Sequence, residues 1–309
     1  MIYAIGSFDG FHTGHRTLLD KAHAAASSEN GWGVITFDIN PQYFFEGGSF
    51  KQLFTDEERN FCARLLGIPK LVRISFTKKF SRLSPKAFLD LLKNKYNATG
   101  IVVGENFRFG ADRAGDIYFI QNYCAENNLF FAVVKMVRLD DKNVSSTEIR
   151  ALLGESRVKA AARALGFPFF VSGIVEKGEQ RGRKLGFPTV NLSPASCKLY
   201  PKNGSYVTMT LTEGRIYPSV TNIGFNPTFN GRKLVCETHI LGYSGNLYGE
   251  KTAVFFIDSL RQEKKFENVA ELTAQLDLDV KIAAERASDY IAENEKLIAL
   301  IKAAGFDRE

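Results

Sequence analysis

The sequence has few of the residues from which metal centres and disulfide frameworks are built. Its 309 residues include four cysteines and four histidines, and no two cysteines form a CxxC pair. The cysteines lie far apart, at Cys62, Cys124, Cys197 and Cys236. This usage argues against a zinc site and predicts reduced thiols in a reducing compartment.

Long apolar runs and a targeting leader are also lacking. No stretch approaches the roughly eighteen apolar residues of a membrane span, and the chain opens on a strand-like run instead of a charged leader. We therefore expect a cytoplasmic protein with no membrane partner.

Charge of neither sign is concentrated in a block. Lysine and arginine total 40 against 34 aspartates and glutamates, which gives a formal net charge of +6, and the cations are scattered among the acids. This distribution favours phosphorylated small molecules over a nucleic-acid duplex, so no nucleic-acid partner is expected. Protein partners are not indicated by the sequence.

The first half of the chain alternates short apolar runs with amphipathic helical segments. That alternation predicts an α/β fold, here a Rossmann-like domain with a parallel sheet. The strand candidates are residues 2–5, 34–37, 71–74, 101–103 and 130–134. Helix starts are indicated by a capping box at Thr55 and Glu58 and by Ser84 followed by Pro85.

The second half changes to β-branched and aromatic runs punctuated by glycine, asparagine and proline. Runs at residues 205–211, 217–223, 234–241 and 252–257 predict a compact antiparallel β-barrel, and residues 269–304 have the spacing of one or two helices packed on it. Because a helical stretch ends before Gly166, we predict domains of residues 1–165 and 166–309. The hydrophobic content of 45% is enough for two buried cores.

The segment GSFDGFHTGH, at residues 6–15, joins the first predicted strand to the first predicted helix. Ligands of open α/β sheets bind at this end of the strands, where glycines let phosphate approach the backbone and helix amides favour its charge. His12 and His15 would donate hydrogen bonds to phosphate oxygens as charge builds up at an α-phosphorus. By itself, a histidine pair also fits ordinary packing. The predicted nucleotide contacts in this segment are Gly6, Ser7, Phe8, Asp9 and Gly14.

Two further segments are suited to phosphate contacts. Residues 104–110, GENFRFG, follow an apolar strand and place Asn106 at the same sheet edge. Residues 145–150, SSTEIR, open a helix with the hydroxyls of Ser146 and Thr147 and reach Arg150 one turn later. The alternatives are a plain helix cap for the hydroxyls and a solvated surface charge for Arg150.

A second glycine-rich and basic segment, GRKLGFPTVN, occupies residues 182–191. Such a loop can wrap polyphosphate through its backbone amides, with Gly182, Lys184 and Gly186 as the predicted contacts, although a basic surface loop is the plainer reading. Thr189 and Asn191 alternate along a strand and point to one side. Their hard oxygens suit Mg²⁺ held mainly by water and substrate phosphates. The spacing is not that of a Walker A loop.

These motifs together resemble one family. The first string is similar to the HxGH motif of the nucleotidyltransferase superfamily, and with residues 104–110 and 145–150 it resembles the adenylyltransferase half of the bacterial bifunctional riboflavin kinase/FAD synthetases. Residues 186–191, GFPTVN, resemble the GFPTAN motif of the riboflavin kinase domain, and the likeness continues through NIGFNPTF at 222–229 and CETHIL at 236–241.

The resemblance implies two activities: phosphorylation of riboflavin to FMN by ATP in the barrel, and adenylylation of FMN to FAD, with release of pyrophosphate, in the first domain. It implies Mg²⁺ for both steps, with Thr189 and Asn191 near the metal. His12 and His15 would steady the phosphates, whereas Asn106, Ser146, Thr147 and Arg150 would contact ATP or the flavin. Glu237 would be the base that accepts the proton of the riboflavin 5′-hydroxyl. Without the resemblance, Glu237 reads as an exposed strand carboxylate, and His239 is interpreted as structural.

Three positions depart from the family pattern. Asn40 stands where a histidine is common, Val190 stands between the threonine and asparagine where alanine is usual, and Gly242 stands where an acidic residue commonly follows. Two alternative functions stay open at this point: a nucleotidyltransferase of another specificity, such as a cytidylyltransferase, and a flavin-binding regulator without turnover.

Overall fold

A computed structural model describes residues 1–29, 31–47, 50–139, 142–178, 182, 185–193, 195–228 and 231–306. The chain divides into two compact units, Met1–Ser146 and Thr147–Glu309. Each unit has its own sheet.

The first unit is built on a five-stranded parallel sheet in the order β3-β2-β1-β4-β5. The strands are β1 Ile2–Ile5, β2 Trp32–Phe37, β3 Leu71–Ile74, β4 Gly100–Gly104 and β5 Phe130–Val134. Every residue of β1 and β2 is buried, as expected for central strands covered on both faces. After β1 the chain adds β2 and β3 on one side of that strand. It then crosses over and adds β4 and β5 on the other side.

Helices connect these parallel strands. They are α1 Thr13–Ala25, α2 Pro41–Glu46, α3 Asp56–Leu65, α4 Pro85–Tyr96 and α5 Ile117–Glu126. The predicted capping box is present, since the Thr55 hydroxyl accepts the N–H of Glu58 and the Glu58 carboxylate accepts the N–H of Thr55. Ser84 caps α4, and Pro85 occupies its first turn. A short antiparallel ladder follows, formed by β6 Arg138–Leu139 and β7 Lys142–Asn143.

The second unit is a closed antiparallel barrel with helices at both ends of its sequence. Its strands, in the order β10-β11-β12-β9-β8-β13, are β8 Phe170–Glu176, β9 Val190–Leu192, β10 Gly204–Thr212, β11 Arg215–Thr228, β12 Gly231–Ile240 and β13 Lys251–Gln262. Its helices are α6 Ser146–Gly154, α7 Val158–Leu165, α8 Val269–Glu293 and α9 Glu295–Ala304.

Buried hydroxyl groups connect three neighbouring barrel strands, β10, β11 and β12. The Thr208 hydroxyl lies 2.8 Å from those of Ser219 and Thr221, and Thr221 lies 2.9 Å from Thr238. These side chains are fully buried, so the network satisfies polar groups that would otherwise lose their hydrogen bonds to water.

The predicted fold class is confirmed for both halves. The strands at 71–74 and 130–134 have the predicted bounds, whereas β2 and β4 begin earlier and the barrel strands are longer than predicted. The helical stretch before Gly166 is two helices, because the chain breaks between α6 and α7. The domain boundary at Gly166 stays a prediction; the division into compact units falls instead after Ser146. All four cysteines are free, as predicted.

Candidate active sites of the two units

The two histidines of the first motif form one compact pair. His12 is the N-cap of α1, and its Nδ1 accepts the backbone N–H of His15 over 3.3 Å. The two rings stack with centroids 3.7 Å apart and planes inclined by 16°. Because Nδ1 of His12 accepts this bond, its neutral ring carries the proton on Nε2. Nε2–H is therefore the donor that His12 can offer to a ligand.

Both imidazoles are neutral at physiological pH. Burial lowers the pKa of His12 to about 4, although a hydrogen bond with its own backbone acts in the opposite direction. Burial, followed by repulsion from the charged form of His12, lowers the pKa of His15 well below its ordinary value. The Nδ1 atom of His15 is buried without a hydrogen-bond partner in the described part of the chain. The pair can therefore offer N–H groups, and not positive charge, to a ligand.

Gly14 allows the His12 ring to lie close to the backbone. A Cβ atom at this position would stand 3.1 Å from Nδ1 of His12 and 3.4 Å from the carbonyl oxygen of Val144. Any larger residue would push the ring or the Val144 segment outward. The glycine between the two histidines therefore lets the ring pack closely, and its contact with a nucleotide stays a prediction.

The loop before the helix has an unusual backbone. Phe8 and Phe11 both have φ of 46°, a left-handed conformation that costs energy for residues other than glycine. Their buried rings stack 5.4 Å apart, and this packing holds the conformation in place. Asp9 is also buried, and its Oδ1 accepts the backbone N–H of Leu53 at 2.9 Å. The structure gives Asp9 a role in anchoring the loop; its contact with a nucleotide stays a prediction, as do those of Gly6, Ser7 and Phe8.

The structure brings Ser146 to the histidine loop. Its hydroxyl donates a hydrogen bond to the carbonyl oxygen of Asp9. Thr147 and Arg150 follow on α6 and belong to the second compact unit. Thr147 is exposed and Arg150 is half-buried, and their predicted contacts with ATP or flavin stay predictions.

Asn106 lies just beyond the carboxyl end of β4, the strand paired with β1. Its side chain is exposed, and its Nδ2 lies 3.0 Å from the sulfur of Met136. Glu105 accepts the backbone N–H of Met136 at 2.8 Å, which ties this loop to the chain after β5. The loops after β1 and β4 therefore share the sheet edge at the point where the strand order reverses, which is where ligands bind in such sheets.

Asn40, the departure from the family pattern, has a structural role. Its side chain accepts the backbone N–H of Gln42 at 2.9 Å and caps α2, with Pro41 in the first turn. Asparagine is among the best N-cap residues.

An exposed aromatic group near the same edge was not identified from the sequence. Phe45, on α2, is 70% exposed and packs edge-on against Phe44 and against Phe76, which follows β3. An exposed aromatic ring supported by others can stack on a planar ligand. The signal in the sequence was the abundance of phenylalanine, 26 residues, which periodicity alone assigns to the core.

In the barrel, strand register aligns the predicted base with the predicted metal ligand. Glu237 on β12 pairs directly with Asn191 on β9 and, on its other side, with Asn222 on β11. Directly paired residues project from the same face of a sheet. The neighbours Cys236 and Thr238 are buried, whereas Glu237 is partly exposed, so this row lies on the outer face of the barrel.

The glycine-rich loop packs against this row. A Cβ atom on Gly178 would stand 2.4 Å from Nδ2 of Asn191, so a larger residue there would displace that side chain. Gly182 accepts the backbone N–H groups of Leu185 and Phe187, which closes a turn that continues through Gly186. Lys184 lies outside the described residues.

His239 supports the turn, in agreement with its structural interpretation. Its Nδ1 lies 2.7 Å from the carbonyl oxygen of Pro188, and Phe187 packs edge-on against its ring. Since a carbonyl can only accept, Nδ1 of His239 carries the proton. Thr189, the next residue, begins the approach to β9.

The donor set at this row fits Mg²⁺. The described residues contain no cluster of three or more histidine, cysteine or acidic side chains placed to hold a metal. Mg²⁺ commonly takes one or two protein oxygens and completes its shell with water and substrate phosphates. The hydroxyl of Thr189 and the amide oxygen of Asn191 are oxygens of the required type.

A parallel sheet with a histidine loop at its switch point, together with a barrel that presents a carboxylate beside a threonine–asparagine strand, defines a two-part transferase acting on phosphate groups. The chain matches the family model for FAD synthetase over residues 1–148 and that for riboflavin kinase over residues 165–287. The order of the two matches along the chain is the order of the two units.

Curated relatives extend over nearly the whole length. The bifunctional riboflavin kinase/FMN adenylyltransferase of Pseudomonas fluorescens is 31% identical over 289 residues, which is 93% of this chain and 92% of that protein. The protein of the same description from Escherichia coli K12 is 32% identical over 289 residues, 92% of each chain. The chain therefore belongs to the bifunctional riboflavin kinase/FMN adenylyltransferase family, and it is an enzyme of flavin biosynthesis with both activities.

A solved structure shares the architecture of both units. It is described as a macrolide-efflux protein from Streptococcus pneumoniae, and it has a TM-score of 0.82 and 29% identity over 91% of this chain and 93% of that chain. In the part of this chain that the structure describes, no helix is long and apolar enough to cross a membrane.

Proposed function

We propose that the barrel phosphorylates riboflavin to FMN and that the first unit adenylylates this FMN to FAD, so that one chain performs two consecutive steps. ATP supplies the γ-phosphoryl group in the first step and the adenylyl group in the second. The observation that carries this assignment is that each unit brings the residues of its own motif together: the stacked His12 and His15 in one, and the paired Glu237 and Asn191 in the other.

In the adenylylation step, a phosphate oxygen of FMN forms a bond to the α-phosphorus of ATP as the bond to pyrophosphate breaks. His12 and His15 donate N–H hydrogen bonds to phosphate oxygens on which negative charge develops. Neutral donors fixed at the start of α1 need no reorganisation during the reaction, which is the condition for effective electrostatic stabilisation. No covalent enzyme intermediate is required.

Other predicted site residues hold the substrates of this step. Gly6, Ser7, Phe8, Asp9 and Gly14 form the loop against which ATP lies. Asn106, Ser146, Thr147 and Arg150 contact ATP or the flavin. Phe45 and Phe76 stack on the flavin ring, a proposal supported by the exposure of Phe45 at this edge of the sheet.

In the kinase step, Glu237 accepts the proton of the riboflavin 5′-hydroxyl while that oxygen attacks the γ-phosphorus of ATP, and the bond from the γ-phosphorus to the bridging oxygen breaks to release ADP. The loop containing Gly182, Lys184 and Gly186 wraps the polyphosphate with backbone amides. Thr189 and Asn191 hold Mg²⁺, which when bound neutralises charge on the phosphates. The hydrogen bond of His239 to Pro188 keeps in place the segment that contains Thr189 and Asn191.

We further propose domain limits of residues 1–165 and 166–309 and a cytoplasmic location. The start of the riboflavin kinase match at residue 165 supports the limit. The four free cysteines support a reducing compartment.

The test is separation of flavins by chromatography after incubation with ATP and Mg²⁺, in one reaction from riboflavin and in another from FMN. Glu237→Gln should abolish FMN formation and leave FAD formation from added FMN. The double variant His12→Ala, His15→Ala should produce FMN but no FAD.

Each variant has a control at an exposed residue. Glu285→Gln, on α8 of the second unit, is the control for Glu237→Gln, and His23→Ala, on α1, is the control for the histidine variant; both should behave as the wild type. Normal kinase activity in the Glu237 variant, or normal FAD output in the histidine variant, would contradict the respective assignment.

A further inference from the structure

A buried arginine links the loops that follow two strands of the first unit. Arg59, on α3, is 2% exposed. Its Nη2 donates to the carbonyl oxygen of Asp38 at 2.9 Å and to the carboxylate of Asp56, and its Nη1 lies 3.4 Å from the hydroxyl oxygen of Thr36. Because the guanidinium is shielded from water, these hydrogen-bond partners fix its position.

The contact with Thr36 extends to the histidine loop. The Thr36 hydroxyl donates to the carbonyl oxygen of Ser7 at 2.8 Å. Because a guanidinium can only donate, Thr36 accepts from Arg59 and directs its own proton to Ser7. The chain of donors runs in one direction, from α3 through β2 into the loop that holds His12, and each bond polarises the next.

The contact with Asp38 extends to a third loop. Oδ1 of Asp38 accepts the backbone N–H groups of Ile39 at 2.6 Å and Phe76 at 2.8 Å. Burial would raise the pKa of Asp38, but the hydrogen bonds from Phe76, Ser75 and Ile39 and the charge of Arg59 lower it below the ordinary value. Asp38 therefore stays ionised and joins the chain after β2 to the chain after β3.

Arg59 is itself held from two sides. The capping box of Thr55 and Glu58 fixes the first turn of α3, immediately before it. Asp56 is shared with Arg73 of β3, whose Nε lies 3.9 Å from the same carboxylate oxygen. The helix, the carboxylate and the two strands thus set the position of one guanidinium.

We propose that Arg59 is a positioning residue for adenylyl transfer: through Thr36 and Asp38 it sets the loop of Ser7 to His15 relative to the loops after β2 and β3. The inference rests on the proposed function, in which the histidine loop binds the phosphates of ATP. It assigns no contact between Arg59 and a substrate. Its loss should therefore reduce the rate of the chemical step more than the binding of ATP or FMN.

The test measures steady-state FAD formation from FMN. Arg59→Met, which keeps length but removes donors and charge, should lower kcat by about 10–100-fold and change both KM values by less than about threefold, since small displacements of reacting groups cost rates of this order. Thr36→Val, nearly the same shape, should lower kcat by roughly 10-fold. The double variant should be no slower than Arg59→Met, because the two residues act through one path. Arg59→Lys should recover part of the loss.

Three controls separate this proposal from simple destabilisation. Riboflavin kinase activity of the same chain should be unchanged, and Arg64→Met, at an exposed position of α3, should leave FAD formation unchanged. Fluorescence of Trp32, the single tryptophan, reports the folded fraction of the first unit. Unchanged kcat per folded molecule in Arg59→Met, or additive losses in the double variant, would overturn the proposal. Retention of FAD formation in His12→Ala with His15→Ala would instead overturn the proposed function, and both would then fall.

Discussion

Glu237 and Asn191 occupy directly opposed positions on the antiparallel strands β12 and β9. They are 46 positions apart in the chain, yet the barrel places their side chains on one face. Because a shift of register by one residue would turn Asn191 to the other face, the proposed kinase site depends on the pairing of a strand that is three residues long. Residues that pack against Asn191 should therefore also affect the kinase activity.

Gly178→Ala should impair the kinase although it replaces neither Glu237 nor Asn191. The new Cβ would overlap the Asn191 amide at 2.4 Å and displace it, so we expect FMN formation to fall at least about 10-fold in kcat/KM. FAD formation from supplied FMN should not change. Gly173→Ala on β8 is the matched control, because its Cβ would meet only ordinary contacts from 3.4 Å. Equal activity of the two variants would contradict the proposed role of Asn191.

Gly14→Ala should have the reciprocal effect. A Cβ atom 3.1 Å from His12 Nδ1 would tilt the imidazole away from its stacked position, and we expect FAD formation to fall by about 10–100-fold while the kinase stays active. Gly154→Ala, where the added atom meets nothing within 4 Å, serves as the control. The measurement is the ratio of FAD to FMN produced from riboflavin. A wild-type ratio in Gly14→Ala would show that the stacked geometry is dispensable.

The first unit should lose stability as pH falls through the mildly acidic range. The pKa of His12 is about 4 in the folded protein against an ordinary value of 6.5, so between these pH values the unfolded chain binds a proton that the folded chain does not. Stability is therefore retained above pH 6.5 and lost toward pH 4, by up to ~1.4 kcal/mol per pH unit for this histidine.

Denaturant unfolding followed by Trp32 fluorescence at several pH values measures this loss within the first unit. His12→Asn should reduce the slope of stability against pH, whereas His239→Asn, in the other unit, should not. A slope that is identical in the wild type and in His12→Asn would refute the linkage.

The ion pair of Arg261 and Asp279 should hold α8 to the barrel. Asp279 is 2% exposed and accepts from Arg261 Nε at 2.9 Å and Nη2 at 2.8 Å, while Gln275 donates to its other oxygen. Asp279→Leu leaves the guanidinium without its carboxylate and should destabilise the second unit by ~3–5 kcal/mol. Replacing both, with Arg261→Met, should recover most of that loss. Thermal inactivation of the kinase is the measurement, and an unchanged half-life in Asp279→Leu would contradict the expectation.

Much of the fold was predictable because its signals are local. The apolar runs of 71–74 and 130–134 became strands with those bounds, and Thr55 with Glu58 formed the predicted cap. The ends of the barrel strands were less predictable, since pairing with neighbouring strands extends a ladder beyond the residues that favour it. The break between α6 and α7 follows Gly154, a glycine that the sequence analysis did not interpret as a helix end.

The residues of the candidate sites also fall into those predicted from the sequence and those identified only in the structure. His12 and Asn191 were predicted from residue type and spacing, whereas Glu237 was predicted only from the family resemblance. Arg59 and Thr36 were not predicted, because a buried arginine and a strand threonine have no distinctive pattern. The predicted nucleotide contact of Asp9 gave no sign of its hydrogen bond with the backbone N–H of Leu53, which lies far along the chain.

The sequence by itself determined the alternation of elements, the caps, the glycine loops and the family, because each depends on residues close together in the chain or on their order. Only the tertiary structure decided that the His12 and His15 rings stack as neutral groups, that Glu237 faces Asn191, and that Arg59 reaches Asp38 and Thr36. The protonation state of the histidines depends on their burial, and the strand register decides which side chains lie opposite each other. Both are set by contacts between segments that the linear order leaves apart.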